Sequence, residues 1–209
     1  MKTLSKKHGC TINSIALAVT SVALHEYFTE LGDDKMNEVE VPESLQLISP
    51  VSIRQTANSL ETIEMTNDLS AIIHRLHLRG SFGEALAIVK KNTPSMLRSL
   101  VTIYGNLWAL KLNMLLPSFI SEWINNRVSN YNTMAFINLN ATKVPYSLDG
   151  KQMNGASFYY AVSKGTVSAS MIFLTCATYS SVTVFADKNK IESPEKLTSL
   201  VKKQIKLAL

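Results

Sequence analysis

The sequence predicts an α/β fold of two layers, in which helices pack on a mixed or antiparallel β-sheet. Apolar residues recur at helical spacing in the N-terminal part and at the C-terminus. From Tyr131 onward the apolar period changes to two, which is typical of strands. A chain of 209 residues with 46% hydrophobic residues can bury one full core and is short for two. We therefore expect residues 1–209 to form a single domain.

The first predicted element is a helix over residues 11–31. Its apolar positions recur at helical spacing, Thr11 or Asn13 can cap its start, and Gly32 is a suitable stop. The acidic and polar residues 33–42 that follow predict a surface loop.

Two strands and a group of helices come next. Residues 45–51 alternate like a strand, and residues 69–78 alternate with one more apolar face, as in a half-buried strand. Ser81 and Glu84 can form a capping box for a helix that runs to about residue 91.

Proline marks the next helix boundaries. Pro94 is expected to kink or restart the helix, a second helical region follows to about residue 116, and Pro117 begins a third piece to residue 128. The whole stretch 97–124 is strongly apolar.

Four segments of the C-terminal part alternate with period two, and turns separate them. We expect the strands to pair antiparallel. The strand candidates are residues 133–139, 157–162, 169–175 and 182–186, and the turns are 147–150 and 163–165. Ser193 and Pro194 then open a last amphipathic helix to Leu209.

The net charge of +5 is mild, and its lysines lie mainly near the two ends of the chain. We interpret them as solvated helix faces, with an anionic membrane surface as the second reading and nucleic acid as a distant third. No strip of clustered aromatic and basic residues supports binding of single-stranded nucleic acid. The lysines are Lys2, Lys6, Lys7, Lys188, Lys190, Lys196, Lys202, Lys203 and Lys206.

The residues alone show no catalytic centre. His74 and His77 are three apart, which on a strand places them on opposite faces and makes a poor metal pair. His25 beside Glu26 fits a boundary histidine better than a base, and no metal site is predicted. Cys10 and Cys176 are expected to be reduced, buried thiols of an intracellular protein.

Several segments, taken in order, resemble the C-terminal half of the wax ester synthase/diacylglycerol acyltransferase family, and most closely its eukaryotic, plant-type members. Residues 9–18 (GCTINSIALA) resemble the family's Thr-Val-Asn-Asp-Val-Val-Leu helix start. Residues 47–54 (LISPVSIR) resemble its Val-Pro-Val-Ser-Leu-Arg strand end. Residues 129–138 (SNYNTMAFIN) resemble the stretch leading into its Ser-Asn-Val-x-Gly-Pro motif. Residues 146–150, 170–187 and 191–209 resemble the turn, strand pair and helix that follow.

The resemblance implies one lobe of the two-lobed fold shared with chloramphenicol acetyltransferase. It implies transfer of a fatty acyl group from acyl-CoA, the co-substrate, to a long-chain alcohol or diacylglycerol, without a further cofactor. The family's base is the second histidine of a His-His-x-x-x-Asp-Gly motif in the N-terminal lobe. This sequence lacks that motif, so we expect the lobe to be inactive alone and to need an N-terminal lobe, in cis or in trans.

The resemblance also implies site residues. Asn13, Arg54 and Asn138 are expected to line or brace the substrate channel between the lobes, against the alternatives of a helix cap, a surface ion-pair partner and a turn residue. Ala141 and Thr142 stand where the family has glycine and proline.

The apolar stretch also predicts a lipid contact through Trp108, Lys111 and Trp123, with burial in the core as the alternative. Three hypotheses therefore remain: an acyltransferase lobe, a non-catalytic lipid- or membrane-binding module, and a structural subunit that binds another protein. For the first, the expected location is cytoplasmic, or peripheral at an endoplasmic reticulum or lipid droplet membrane.

Overall fold

The structure is a computed structural model, and it describes most of the chain. The described residues are 1–34, 40–53, 69–97, 100–140, 147–152, 155–158, 167–177, 179–187 and 189–209.

The described helices and strands follow the predicted order, with three additions: a short helix at the N-terminus and the two strands of a small hairpin, none of which the sequence analysis predicts. In chain order they are α1 (Lys2–Lys7), α2 (Ile12–Asp34), β1 (Ser44–Ser52), β2 (Leu69–His77), α3 (Phe82–Leu97), α4 (Leu100–Met114), α5 (Ser118–Asn130), β3 (Met134–Asn140), β4 (Ser147–Leu148), β5 (Lys151–Gln152), β6 (Ala169–Thr175), β7 (Ser180–Ala186) and α6 (Pro194–Ala208).

Five strands form one mixed sheet in the order β2-β1-β3-β6-β7. The outer pairs β1–β2 and β6–β7 are antiparallel, whereas the inner pairs β1–β3 and β3–β6 are parallel. The predicted antiparallel pairing of the C-terminal strands is therefore right for β6–β7 and wrong for β3–β6. The chain between β3 and β6 is long enough for the crossover that parallel strands require.

The core lies between one face of this sheet and helices α2, α3 and α6. Helix α2 is buried at every position from Ser14 to Leu24. It packs against alternate residues of the parallel strands β3 and β6. Among them are Phe136 and Phe173, whose ring centroids are 5.7 Å apart. Ser21 joins α2 to the end of β2, because its hydroxyl donates to the carbonyl of His77 at 2.7 Å.

Two predicted helix boundaries are wrong. Helix α2 continues through Gly32 to Asp34. A glycine costs a helix only about 1 kcal/mol relative to alanine, which the burial of α2 offsets. Helix α3 likewise continues past residue 91 and through Pro94 to Leu97, so it does not restart at Pro94. A proline at this position gives up the hydrogen bond that a backbone N–H would donate to the carbonyl four residues earlier, and a kink at Pro94 stays a prediction.

The structure has the predicted start of α6 at Ser193 and the predicted turn at residues 147–150. Ser193 caps α6 by accepting a hydrogen bond from the Lys196 amide at 3.4 Å, with Pro194 in the first turn. Strands β4 and β5 form a two-residue hairpin in which Asp149 and Gly150 both have positive φ, as a type I′ turn requires.

One predicted strand is not found where it can be checked. Ser157 and Phe158 lie outside any strand, and residues 159–162 lie outside the described residues. The predicted turn at 163–165 also lies outside them. The terminal lysines that the structure describes are exposed or half-buried, which fits solvated faces and an anionic membrane surface equally, so their interpretation stays a prediction.

Candidate functional site

The sheet opens between β1 and β3. The two strands pair only at Leu47–Met134 and Ile48–Ala135, although β1 continues to Ser52 and β3 to Asn140. Their carboxyl ends therefore diverge. In sheets of this kind, ligands bind in the crevice beyond the carboxyl ends of parallel strands.

A cavity of about 360 Å³ fills this opening, under the first turns of α2. Its floor is apolar, because Leu17, Ile72 and Phe136 are almost fully buried there. Its rim is polar but uncharged, since none of the described lining residues is Asp, Glu, Lys or Arg. The lining residues are Thr11, Asn13, Leu17, Ser49, Pro50, Val51, Ser52, Ile72, His74, Phe136, Asn138 and Asn140.

Two asparagine amides meet at the rim. The side-chain Nδ2 of Asn138 on β3 donates to Oδ1 of Asn13 on α2 at 3.1 Å. Asn138 Oδ1 is buried and has no hydrogen-bond partner. A buried carbonyl oxygen without a donor is costly in a protein interior, so this atom is available to a donor on a bound molecule.

The start of α2 also lies at the rim. Thr11 caps the helix, because its Oγ1 accepts from the Ser14 amide at 3.1 Å. Of the two caps that the sequence allows, Thr11 is the one used, which leaves Asn13 free to face the cavity. The positive end of the helix dipole is therefore directed at the rim.

A serine and a histidine form a second polar pair. Ser49 Oγ and His74 Nε2 are 2.8 Å apart, on the neighbouring strands β1 and β2. Burial lowers the pKa of His74 to about 4, so its ring is neutral near pH 7. A base with this pKa takes a proton from a hydroxyl poorly, and the pair is suited to hydrogen bonding rather than to general-base catalysis.

The structure thus brings together two of the three predicted channel residues. Asn13 and Asn138 contact each other at the cavity. Arg54, and the variant positions Ala141 and Thr142, lie outside the described residues.

The three predicted lipid-contact residues lie elsewhere, on α4 and α5. Trp108 is 64% exposed and Trp123 is 66% exposed, and Lys111 is also exposed. The alternative of core burial is therefore wrong for both tryptophans.

The remaining titratable candidates do not gather into a site. His74 and His77 lie on opposite faces of β2 as predicted, and His77 Nδ1 is 3.9 Å from a carboxylate oxygen of Glu43. The predicted burial is right for Cys176 and wrong for Cys10, which is half-buried, and neither forms a disulfide. Among the described residues, no group of three or more His, Cys, Asp and Glu side chains is placed to hold a metal ion.

Sequence reasoning missed part of the site. No sequence motif points to Ser49, and the spacing of His74 and His77 excludes only a metal pair. The strand alternation carried the missing signal, because His74 shares its face of β2 with the buried Ile72 and Leu76.

Comparisons with known proteins concern the family and the fold of the chain rather than the cavity. A protein-family model described as the WS/DGAT C-terminal domain matches residues 65–208. A search of curated proteins finds no significant match.

Solved structures show a similar fold. The wax ester synthase/diacylglycerol acyltransferase from Marinobacter aquaeolei VT8 matches with a TM-score of 0.64 at 14% identity, over 99% of this chain and 45% of that chain. PapA2 acyl transferase matches with a TM-score of 0.54 at 14% identity, over 99% and 41%. The first condensation domain of the calcium-dependent antibiotic synthetase matches with a TM-score of 0.53 at 11% identity, over 99% and 40%.

The chain therefore spans less than half the length of each of these three structures. At such low identities the likeness concerns the fold alone. It confirms the predicted mixed α/β lobe of the chloramphenicol-acetyltransferase-like type.

Proposed function

The chain belongs to the wax ester synthase/diacylglycerol acyltransferase family, whose C-terminal domain it contains, and from this we propose that it forms one wall of an acyltransferase substrate channel. The reaction is transfer of a fatty acyl group from acyl-CoA to a long-chain alcohol or diacylglycerol. The observation that carries the proposal is the cavity between β1 and β3, with the Asn13–Asn138 pair at its rim.

The chemistry of the cavity fits such a substrate. An apolar floor suits alkyl chains, and uncharged donors and acceptors suit thioester, amide, ester and hydroxyl groups. A free phosphate or carboxylate has no lysine or arginine among the described lining residues to pair with. We therefore assign to this cavity the neutral part of the substrate rather than its charged end.

Asn138 gives a direct test of this role. Asn138→Ala removes the unpartnered Oδ1 and leaves Asn13 Oδ1 without its donor, so palmitoyl-CoA binding by the 209-residue chain should weaken about five- to tenfold. Asn126→Ala on exposed α5 is the matched control and should bind like the wild type. Equal affinities for all three proteins, measured by equilibrium dialysis, would contradict the assignment.

The chain is proposed to be inactive by itself, because it lacks the family's His-His-x-x-x-Asp-Gly motif. An N-terminal lobe, in cis or in trans, would supply the base. Labelled palmitoyl-CoA incubated with the chain and hexadecanol or diacylglycerol should then give no product above blank. Turnover would show that a base exists within this chain, and the division of labour between lobes would be wrong.

Lipid substrates also suggest a location at the surface of the endoplasmic reticulum or of lipid droplets. Within the described residues, no helix has the length and apolar character needed to cross a membrane.

A further inference from the structure

The Ser49–His74 pair has hydrogen-bonding capacity that the protein itself does not use. Both side chains line the cavity, and Ser49 Oγ is 2.8 Å from His74 Nε2. A serine hydroxyl can donate one hydrogen bond and accept two, and the contact with the ring uses one of these three. Among the described residues, Ser49 Oγ makes no other hydrogen bond. Its remaining capacity is therefore available to a bound molecule.

The sheet holds this hydroxyl in a fixed place. Strands β1 and β2, which carry Ser49 and His74, are paired antiparallel along the whole length of each strand. A polar group on a paired strand is positioned more precisely than one on a loop. The His74 ring is neutral near pH 7, because burial lowers its pKa to about 4. The pair thus presents an uncharged hydrogen-bonding group to the cavity.

Apolar side chains separate this pair from Asn138. The register of β1 on β3, continued along both strands, places Ser49 level with Phe136 and Val51 level with Asn138. Alternation puts all four side chains on the same face of the sheet, and all four line the cavity. A molecule that contacts both polar groups must therefore pass over Phe136 and Val51.

Strand geometry gives the separation of the two polar groups. Ser49 and Asn138 lie one strand apart and two residues apart along the strand direction. With about 4.8 Å between strands and about 3.4 Å per residue, this amounts to about 8 Å. The divergence of β1 from β3 makes 8 Å the lower end of the separation. Since no described lining residue is charged, the matching groups on a ligand are uncharged.

We propose that Ser49 is a specificity-determining residue, which selects substrates with a second uncharged oxygen function about 8 Å along the chain from the group bound at Asn138. A hydroxyl partway along an alkyl chain has this chemistry. The inference rests on the proposed function, because it assigns a second polar contact to the same substrate cavity.

Positional isomers of decanediol test the spacing, because they contain the same atoms and have nearly the same hydration. Seven bonds separate the oxygens of decane-1,6-diol, which at the rise of an extended chain is about 8 Å. Four bonds, or about 5 Å, separate those of decane-1,3-diol, too few to contact both groups. Titration calorimetry on the 209-residue chain should show the 1,6 isomer binding at least about fivefold more tightly, because the 1,3 isomer buries a hydroxyl without a partner.

Ser49→Ala removes the second contact and leaves the apolar floor in place. The preference for the 1,6 isomer should then fall below about twofold, while the affinity for 1-decanol should stay within about twofold of the wild type. Ser199→Ala is the matched control, because Ser199 is exposed on α6 and its hydroxyl donates to the Lys196 carbonyl of the same helix at 2.7 Å. It should keep the full preference.

The proposal is overturned if the wild type binds neither isomer, binds the two equally or prefers the 1,3 isomer. It is also overturned if Ser49→Ala retains the preference. Palmitoyl-CoA binding, measured separately for the wild type and Asn138→Ala, distinguishes this failure from that of the proposed function. If Asn138→Ala weakens palmitoyl-CoA binding while the isomers bind alike, only the second contact is wrong. If neither the diols nor palmitoyl-CoA bind, both assignments are wrong.

Discussion

Acidification provides a quantitative test of the environment of His74. Burial places its pKa at about 4 in the folded protein, against 6.5 for the unperturbed side chain. Between these values the unfolded chain binds the proton more readily, so stability falls as the pH is lowered through this window. The free energy of unfolding falls by about 3 kcal/mol in full below pH 4, and about 2 kcal/mol of this is already lost at pH 5.

The assay is urea unfolding of the wild type and of His74→Gln at pH 7 and pH 5. Glutamine is chosen because its amide can still reach Ser49 and cannot be protonated in this range. Other titrating groups contribute equally to both proteins, so the wild type should lose about 2 kcal/mol more than the variant between the two pH values. Equal losses, or a His74 ring that titrates near 6.5 by NMR, would refute the argument that burial in the cavity lowers the pKa of His74.

Two further predictions concern the core and the α2–α6 contact. Phe136 lines the cavity and is 2% exposed, so Phe136→Ala should lower the free energy of unfolding by about 3–5 kcal/mol. Phe119 is 70% exposed, so Phe119→Ala should change this free energy by less than about 0.5 kcal/mol. Equal losses for the two variants in urea unfolding would contradict the described core. Burial by itself raises the pKa of Glu26, but hydrogen bonds from Lys203 and Gln204 and the charge of Lys203 outweigh it and leave the pKa lowered. Glu26→Gln should therefore be less stable than the wild type above pH 4.5, by no more than about 1 kcal/mol because Lys203 is exposed. This difference should shrink as the pH falls, and a difference that grows on acidification would contradict the argument.

The strands and helices were largely predictable from local patterns. The segment 169–175 is β6 to the residue, and Ser193 with Pro194 marks the start of α6, because alternation and capping are properties of neighbouring residues. The parallel pairing of β3 with β6 was not predictable in this way. It depends on the path of the connecting chain, which local periodicity does not record.

For the candidate site, too, the residues in family motifs were predictable from the sequence, whereas a contact that depends on strand pairing was not. Asn13 and Asn138 were indicated by family motifs that are far apart in sequence, and the fold brings them to 3.1 Å. The Ser49–His74 pair depends on the register of β1 against β2, in which Leu47 lies opposite His74. That register places Ser49 diagonally across from the ring, and it becomes visible only once the strands are paired.

The most direct test of the acyltransferase assignment is to map where a palmitoyl-CoA analogue with a photoreactive group in its acyl chain attaches to the 209-residue chain. Cross-links should fall on the cavity, in peptides that contain residues 11–17, 49–52 and 136–140, and excess palmitoyl-CoA should suppress them. Cross-links confined to residues 112–121, or spread over the surface without competition, would contradict the claim that this cavity is part of an acyl substrate channel.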